Sequence, residues 1–123
     1  MVGTTDTLKI LLVEDNPADA KLLKLILEEE MPGHFEMVHE TYLKEALQTF
    51  SEGNFDAVML DLSLPDSSGV ETLSRMSSVA SDVPIVVLTG LDDEELAQKA
   101  LQFGVQDYLV KGRLNSQAQV VRC

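Results

Sequence analysis

The chain has 123 residues, 45% of them hydrophobic and 24% charged, with nine Lys+Arg against 21 Asp+Glu and a formal net charge of −12. That length suits one domain, and the charge excludes a surface that by itself grips nucleic-acid backbones or anionic membranes. No apolar run approaches the roughly 20 residues needed to cross a bilayer, and the opening Met1-Val2-Gly3-Thr4-Thr5-Asp6-Thr7 lacks a signal-peptide pattern. The lone cysteine, Cys123, excludes an internal disulfide, which fits a reducing, cytoplasmic compartment.

Residues 1–7 read as a flexible leader, and the domain is expected over 8–123. Leu8 to Val13 is the first strand, apolar throughout except for Lys9, as a strand buried on both faces of a parallel sheet should be. Asn16 then caps a helix with Pro17 at its first position, and Leu22, Leu23, Ile26 and Leu27 form its apolar stripe until Pro32-Gly33 stops it. A weaker run, Phe35 to His39, suits an outer strand. Leu43, Ala46, Leu47 and Phe50 mark a second helix closed by Gly53. Ala57 to Leu60 is a buried third strand, and Val70, Leu73 and Met76 mark a third helix. Pro84 to Leu88 is the fourth strand. Asp92, Asp93, Glu94 and Glu95 complement the dipole of a fourth helix, with Leu96, Ala97, Ala100 and Leu101 expected inward and Gly104 after its end. Asp107 to Val110 is a fifth, outer strand, and a short last helix follows Asn115.

Strict alternation of strand and helix implies an α/β fold, a single doubly wound five-stranded parallel sheet with helices on both faces. The expected strand order is 2-1-3-4-5, the flavodoxin-like arrangement. Such sheets bind ligands beyond the carboxyl ends of their strands, at the switch point between the first and third. The polar residues there are Glu14 and Asp15 after strand 1, Asp61 after strand 3, Thr89 after strand 4 and Lys111 after strand 5. Three carboxylates, a hydroxyl and an ammonium should therefore share one crevice.

Like charges ~4–5 Å apart repel even at an effective dielectric of about 20, so a divalent cation is the natural compensation. Few carboxylates with room for waters and a phosphate oxygen suit Mg²⁺ better than Ca²⁺. A lysine and a threonine opposite them would serve a phosphoryl group during in-line transfer to a carboxylate. Taken singly, each residue has a plainer explanation: an Asp after a strand as a turn or cap residue, Glu14-Asp15 as helix capping, Lys111 as a solvated lysine. Their recurrence at the same end of successive strands is what argues for a site.

Leu11-Leu12-Val13-Glu14-Asp15, Val58-Met59-Leu60-Asp61-Leu62, Pro65-Asp66-Ser67-Ser68-Gly69, Val86-Val87-Leu88-Thr89-Gly90 and Asp107-Tyr108-Leu109-Val110-Lys111 resemble the motifs of two-component response-regulator receiver domains, in order and spacing, from about Lys9 to Leu114. The resemblance implies Asp61 as phosphoacceptor. It implies Mg²⁺ bound by Asp15, Asp61 and the Ser63 carbonyl, with Glu14 acting through water. Thr89 and Lys111 would contact the phosphoryl group, and Tyr108 would be the aromatic switch that follows Thr89. The implied partner is a sensor histidine kinase or histidine phosphotransfer protein, with homodimerisation on phosphorylation and an output module outside this sequence.

Two features depart from that pattern. Lys111 is followed by Gly112 where receivers carry proline, and a non-proline cis bond costs about 3–4 kcal/mol, so the Lys111-Gly112 bond is expected trans. The last helix also reads as truncated. His34 and His39 show no ligand spacing, and the five methionines read as core filler. Three other functions fit the residues less well. A flavin carrier would need a phosphate-cradling loop where Glu14-Asp15-Asn16-Pro17 stands. A haloacid-dehalogenase-type hydrolase would need an acid at position 63, which is serine. A non-phosphorylated pseudo-receiver would usually lack one of the acids, the threonine or the lysine, and all are present here.

Overall fold

The structure, a computed structural model, describes residues 7–90, 94–102 and 104–111. The elements run β1 (Leu8–Val13), α1 (Pro17–Glu30), β2 (Phe35–Glu40), α2 (Leu43–Glu52), β3 (Ala57–Asp61), β4 (Ser63–Leu64), β5 (Ser67–Ser68), α3 (Val70–Val79), β6 (Ile85–Thr89), α4 (Glu94–Gln102) and β7 (Asp107–Val110). The main sheet has five parallel strands in the order β2-β1-β3-β6-β7. Counted without the short β4 and β5, that is the expected 2-1-3-4-5.

The continuous apolar runs are the interior strands. Successive side chains of a strand point to opposite faces, so Leu11 and Val13 join Val58, Leu60, Leu73, Met76 and Val87 on one side. Ile10 and Leu12 join Leu23, Ile26, Leu27, Met59 and Leu88 on the other. α2, α3 and α4 contribute to the first cluster and α1 to the second. β2 is an edge strand with no fully buried residue, which is why its pattern read weakly.

Expected and observed boundaries differ by a residue at the site itself. β3 runs on through Asp61 and β6 through Thr89, so both polar residues belong to the strands rather than to the loops after them. Leu101, expected inward, is 39% exposed. Ala100 and Leu96 already span the buried stripe of α4, and Leu101 lies a further 100° round the helix. β4 and β5 form a small antiparallel ribbon that the apolar pattern did not signal. The sequence-based expectations for residues 1–6, Asp92 and Asp93, the Lys111-Gly112 bond and the last helix lie outside the described residues.

Candidate functional site

β1 delivers Glu14 to the crevice fully buried. Its amide donates to the Glu40 carbonyl at 3.0 Å, and its carboxylate Oε2 accepts from the Asn16 amide at 3.1 Å. Asn16 caps α1 by accepting from the amides of Ala18 (2.9 Å) and Asp19 (3.3 Å), with Pro17 following as expected. The turn between Glu14 and α1 is thereby closed by side chains.

β3 delivers Asp61, only 4% exposed. Its Oδ1 accepts from the Ser63 amide at 2.9 Å and its Oδ2 accepts from Lys111 Nζ at 2.9 Å. Lys111 also donates to Glu14 Oε1 and Oε2 at 3.2 and 3.3 Å. Glu14, Asp15 and Asp61 each place a carboxylate oxygen within 4.8 Å of the others. All three offer hard oxygen donors, the set a small divalent cation takes.

The electrostatics fit that reading. Burial pushes the Glu14 carboxyl up to about 8, reinforced by the charge of Asp61 and a hydrogen bond with it, against the Asn16 amide and Lys111. Burial alone would lower the Lys111 ammonium, but its hydrogen bond and charge contact with Asp61, with Glu14 behind, raise it above its ordinary value. Lys111 therefore stays charged and compensates the acids, and Glu14 holds a proton near neutral pH while no cation is there.

Thr89 ends β6, Tyr108 lies two residues back from the end of β7 opposite Val87, and neither is hydrogen-bonded to the acids. The buried Thr89 hydroxyl donates to the Leu109 carbonyl at 3.5 Å, and the half-buried Tyr108 hydroxyl takes Gln98 Nε2 at 3.5 Å. Both distances are at the weak limit of hydrogen bonding.

Three contacts in and around the site escaped the sequence reading. Asp19, on the first turn of α1, is a fourth carboxylate, 3.3 Å from Lys111 Nζ. Its place three residues after the cap was the one available clue. Asp66, in the β4–β5 turn, accepts from the amides of Leu43 and Lys44 at 2.9 and 3.0 Å, capping α2 from a distant loop where Tyr42 offers no side-chain cap. Slight burial works against it, yet these two amides hold the Asp66 carboxyl below its usual range. His39 contacts the Glu14 carbonyl at 2.6 Å. Gly69 closes the loop after Asp61 at φ 70°, ψ −146°, a conformation open to glycine alone, and its amide reaches the Leu62 carbonyl at 2.7 Å.

A doubly wound sheet with an acid cluster and a lysine at its switch point defines a class of signalling domain, and sequence comparison agrees. The model of the response regulator receiver domain family matches residues 10–119, and the chain belongs to that family of two-component receivers. The cell cycle response regulator CtrA of Brucella ovis is 32% identical over 104 residues, 85% of this chain and 44% of that protein. The chain thus spans less than half the length of that relative. Among solved structures, the phosphorylated cyanobacterial phytochrome response regulator RcpA aligns with a TM-score of 0.75 at 29% identity, covering 94% of this chain and 89% of that one. The bacteriophytochrome response regulator RtBRR aligns with a TM-score of 0.71 at 30% identity, covering 85% and 69%. Among the described residues no helix is long and apolar enough to cross a membrane.

Proposed function

We propose that this domain accepts a phosphoryl group on Asp61 in a Mg²⁺-dependent reaction, from the phosphohistidine of a sensor kinase or phosphotransfer protein in the cytoplasm, and passes the signal to an output module outside this sequence. The observation that carries the reading is the placement of Asp61: nearly buried at the carboxyl end of β3, 2.9 Å from Lys111 Nζ and clustered with Glu14 and Asp15.

Asp15 and Asp61, with the Ser63 carbonyl, would hold the cation, and Glu14 would reach it through water. When bound, Mg²⁺ supplies charge neutralisation to the acids and to the transferring phosphoryl oxygens. An Asp61 oxygen attacks phosphorus, the bond from phosphorus to the donor imidazole breaks, and the imidazole leaves. The Ser63 amide holds Oδ1 and so orients the carboxylate. Lys111 exchanges a carboxylate for a phosphoryl oxygen, keeping its charge throughout. Thr89 gives up its long bond to Leu109 for a phosphoryl oxygen, and Tyr108 moves into the space this opens.

The test is incubation with acetyl phosphate, with and without Mg²⁺, followed by intact mass and peptide mapping after borohydride trapping. A gain of one base-labile phosphoryl mass on Asp61, dependent on Mg²⁺, is expected. Labelling of Asp66 or Glu14, or none, would overturn the assignment.

A further inference from the structure

His39 has no part in the reading above, and its contact is one of the shortest hydrogen bonds described. Its Nε2 lies 2.6 Å from the Glu14 backbone carbonyl. A carbonyl only accepts, so Nε2 carries the proton and donates. The position explains the need. The β1–β2 register ends at Val13 opposite Glu40, and the chain turns away at 41 and 42 toward α2. The Glu14 amide still finds the Glu40 carbonyl, but beyond it β2 has no further backbone amide to serve the Glu14 carbonyl. His39 supplies that missing donor from its side chain. With Leu12, Ala20 and Met37 it lines the groove between α1 and β2.

The Glu14 carbonyl and the Asp15 amide belong to one rigid peptide plane. Fixing the carbonyl fixes the direction in which Asp15 leaves β1, and Asp15 is the exposed member of the acid cluster. Glu14 is held at its amide and carboxylate by other partners, whereas the plane that aims Asp15 is held by His39. We propose that His39 is a positioning residue for the Glu14-Asp15 pair, extending the β1–β2 ladder by one side-chain bond so that Asp15 meets the cation with Asp61. This rests on the Mg²⁺ reading above. Outer hydrogen bonds that orient metal ligands are commonly worth at least tenfold in affinity.

The experiment compares wild type with His39→Ala, His39→Gln and Val38→Ala. Glutamine places an amide donor near the position of Nε2. Val38 is the β2 neighbour that packs on the opposite, first core cluster, so its truncation destabilises β2 without touching the bond. Mg²⁺ titration followed by NMR should show about tenfold weaker binding in His39→Ala, recovery to within about twofold in His39→Gln, and no change in Val38→Ala. Hydrogen exchange without Mg²⁺ should be several-fold faster at the Glu14 and Asn16 amides in His39→Ala alone. Unchanged affinity in His39→Ala, no recovery with glutamine, or an equal loss in Val38→Ala would overturn the proposal. If wild type shows no saturable Mg²⁺ binding, the proposed function fails, and the exchange measurement alone decides on His39: unchanged rates at Glu14 and Asn16 would sink it.

Discussion

At the exits of β1 and β3 the polar groups are tied by bonds of about 3 Å: Glu14 to Asn16 and Glu40, Asp61 to Ser63 and Lys111. On β6 and β7, the Thr89 hydroxyl at the strand exit and the Tyr108 hydroxyl further back each make one hydrogen bond, at 3.5 Å. A group held by several short bonds cannot be moved without breaking all of them, whereas one long hydrogen bond is exchanged at little cost. One half of the crevice is built to hold charge in place. The other half is held by weaker bonds, as the response proposed for Thr89 and Tyr108 requires, and Lys111, reaching from β7 to Glu14 and Asp61, joins the two.

The largest test of that division is Lys111→Ala. It leaves Glu14 and Asp61 buried without their cation, a situation that typically costs 3–5 kcal/mol. Glu14 already holds a proton near neutral pH, so Asp61 alone is left as an unpaired charge, and the loss should be about 2–3 kcal/mol in metal-free protein. Urea unfolding in EDTA measures it, and Mg²⁺ should return part of the loss by mass action. Stability equal to wild type would mean that Lys111 does not compensate the cluster.

An intermediate effect is expected from pH. Glu14 is raised from 4.5 to about 8 on folding. Between those values the folded chain binds the extra proton, so the Glu14 contribution to metal-free stability is full below pH 4.5 and is lost as pH rises through about 8. Asp61→Asn removes the neighbouring charge. It should flatten that fall and add about 1–2 kcal/mol near pH 8 in EDTA, after solvent screening of a Coulomb term of roughly 3 kcal/mol at ~5 Å. Mg²⁺ should stabilise wild type more than the variant. A variant less stable than wild type, with equal Mg²⁺ effects, would count against a cation-binding cluster.

The smallest effect on stability belongs to the weakly bonded half. Thr89→Val keeps the shape and loses only the long bond to Leu109, so unfolding should shift by about 0.5 kcal/mol or less. Phosphorylation should nevertheless leave the Tyr108 resonances where they were. A Tyr108 response as large as in wild type would show that Thr89 does not carry the change across.

Much of this was legible in the linear chain. Continuous apolar runs mark interior strands because both their faces are buried. A charged residue that ends such a run must then sit where the strand leaves the sheet, where it can be solvated or paired. That logic led from Leu11-Leu12-Val13 to Glu14, and from Val58-Met59-Leu60 to Asp61. Where burial is partial the pattern weakens: it still marked β2, but it placed Leu101 inward where the helix leaves it exposed.

The contacts that hold the site were decided by the tertiary structure. Lys111 and Glu14 are 97 residues apart, His39 and Glu14 25, and Asp66 and Leu43 23. Periodicity reports only which face a residue occupies. It cannot report which distant backbone group has been left without a partner, because that depends on where a neighbouring strand ends and which way the chain then turns. By itself the sequence determined the sheet, its order and the charged ends of its strands. Folding alone chose the histidine that serves the Glu14 carbonyl, the aspartate that caps α2 and the acids that share one lysine, since each choice satisfies a buried polar group that exists only once the strands are side by side.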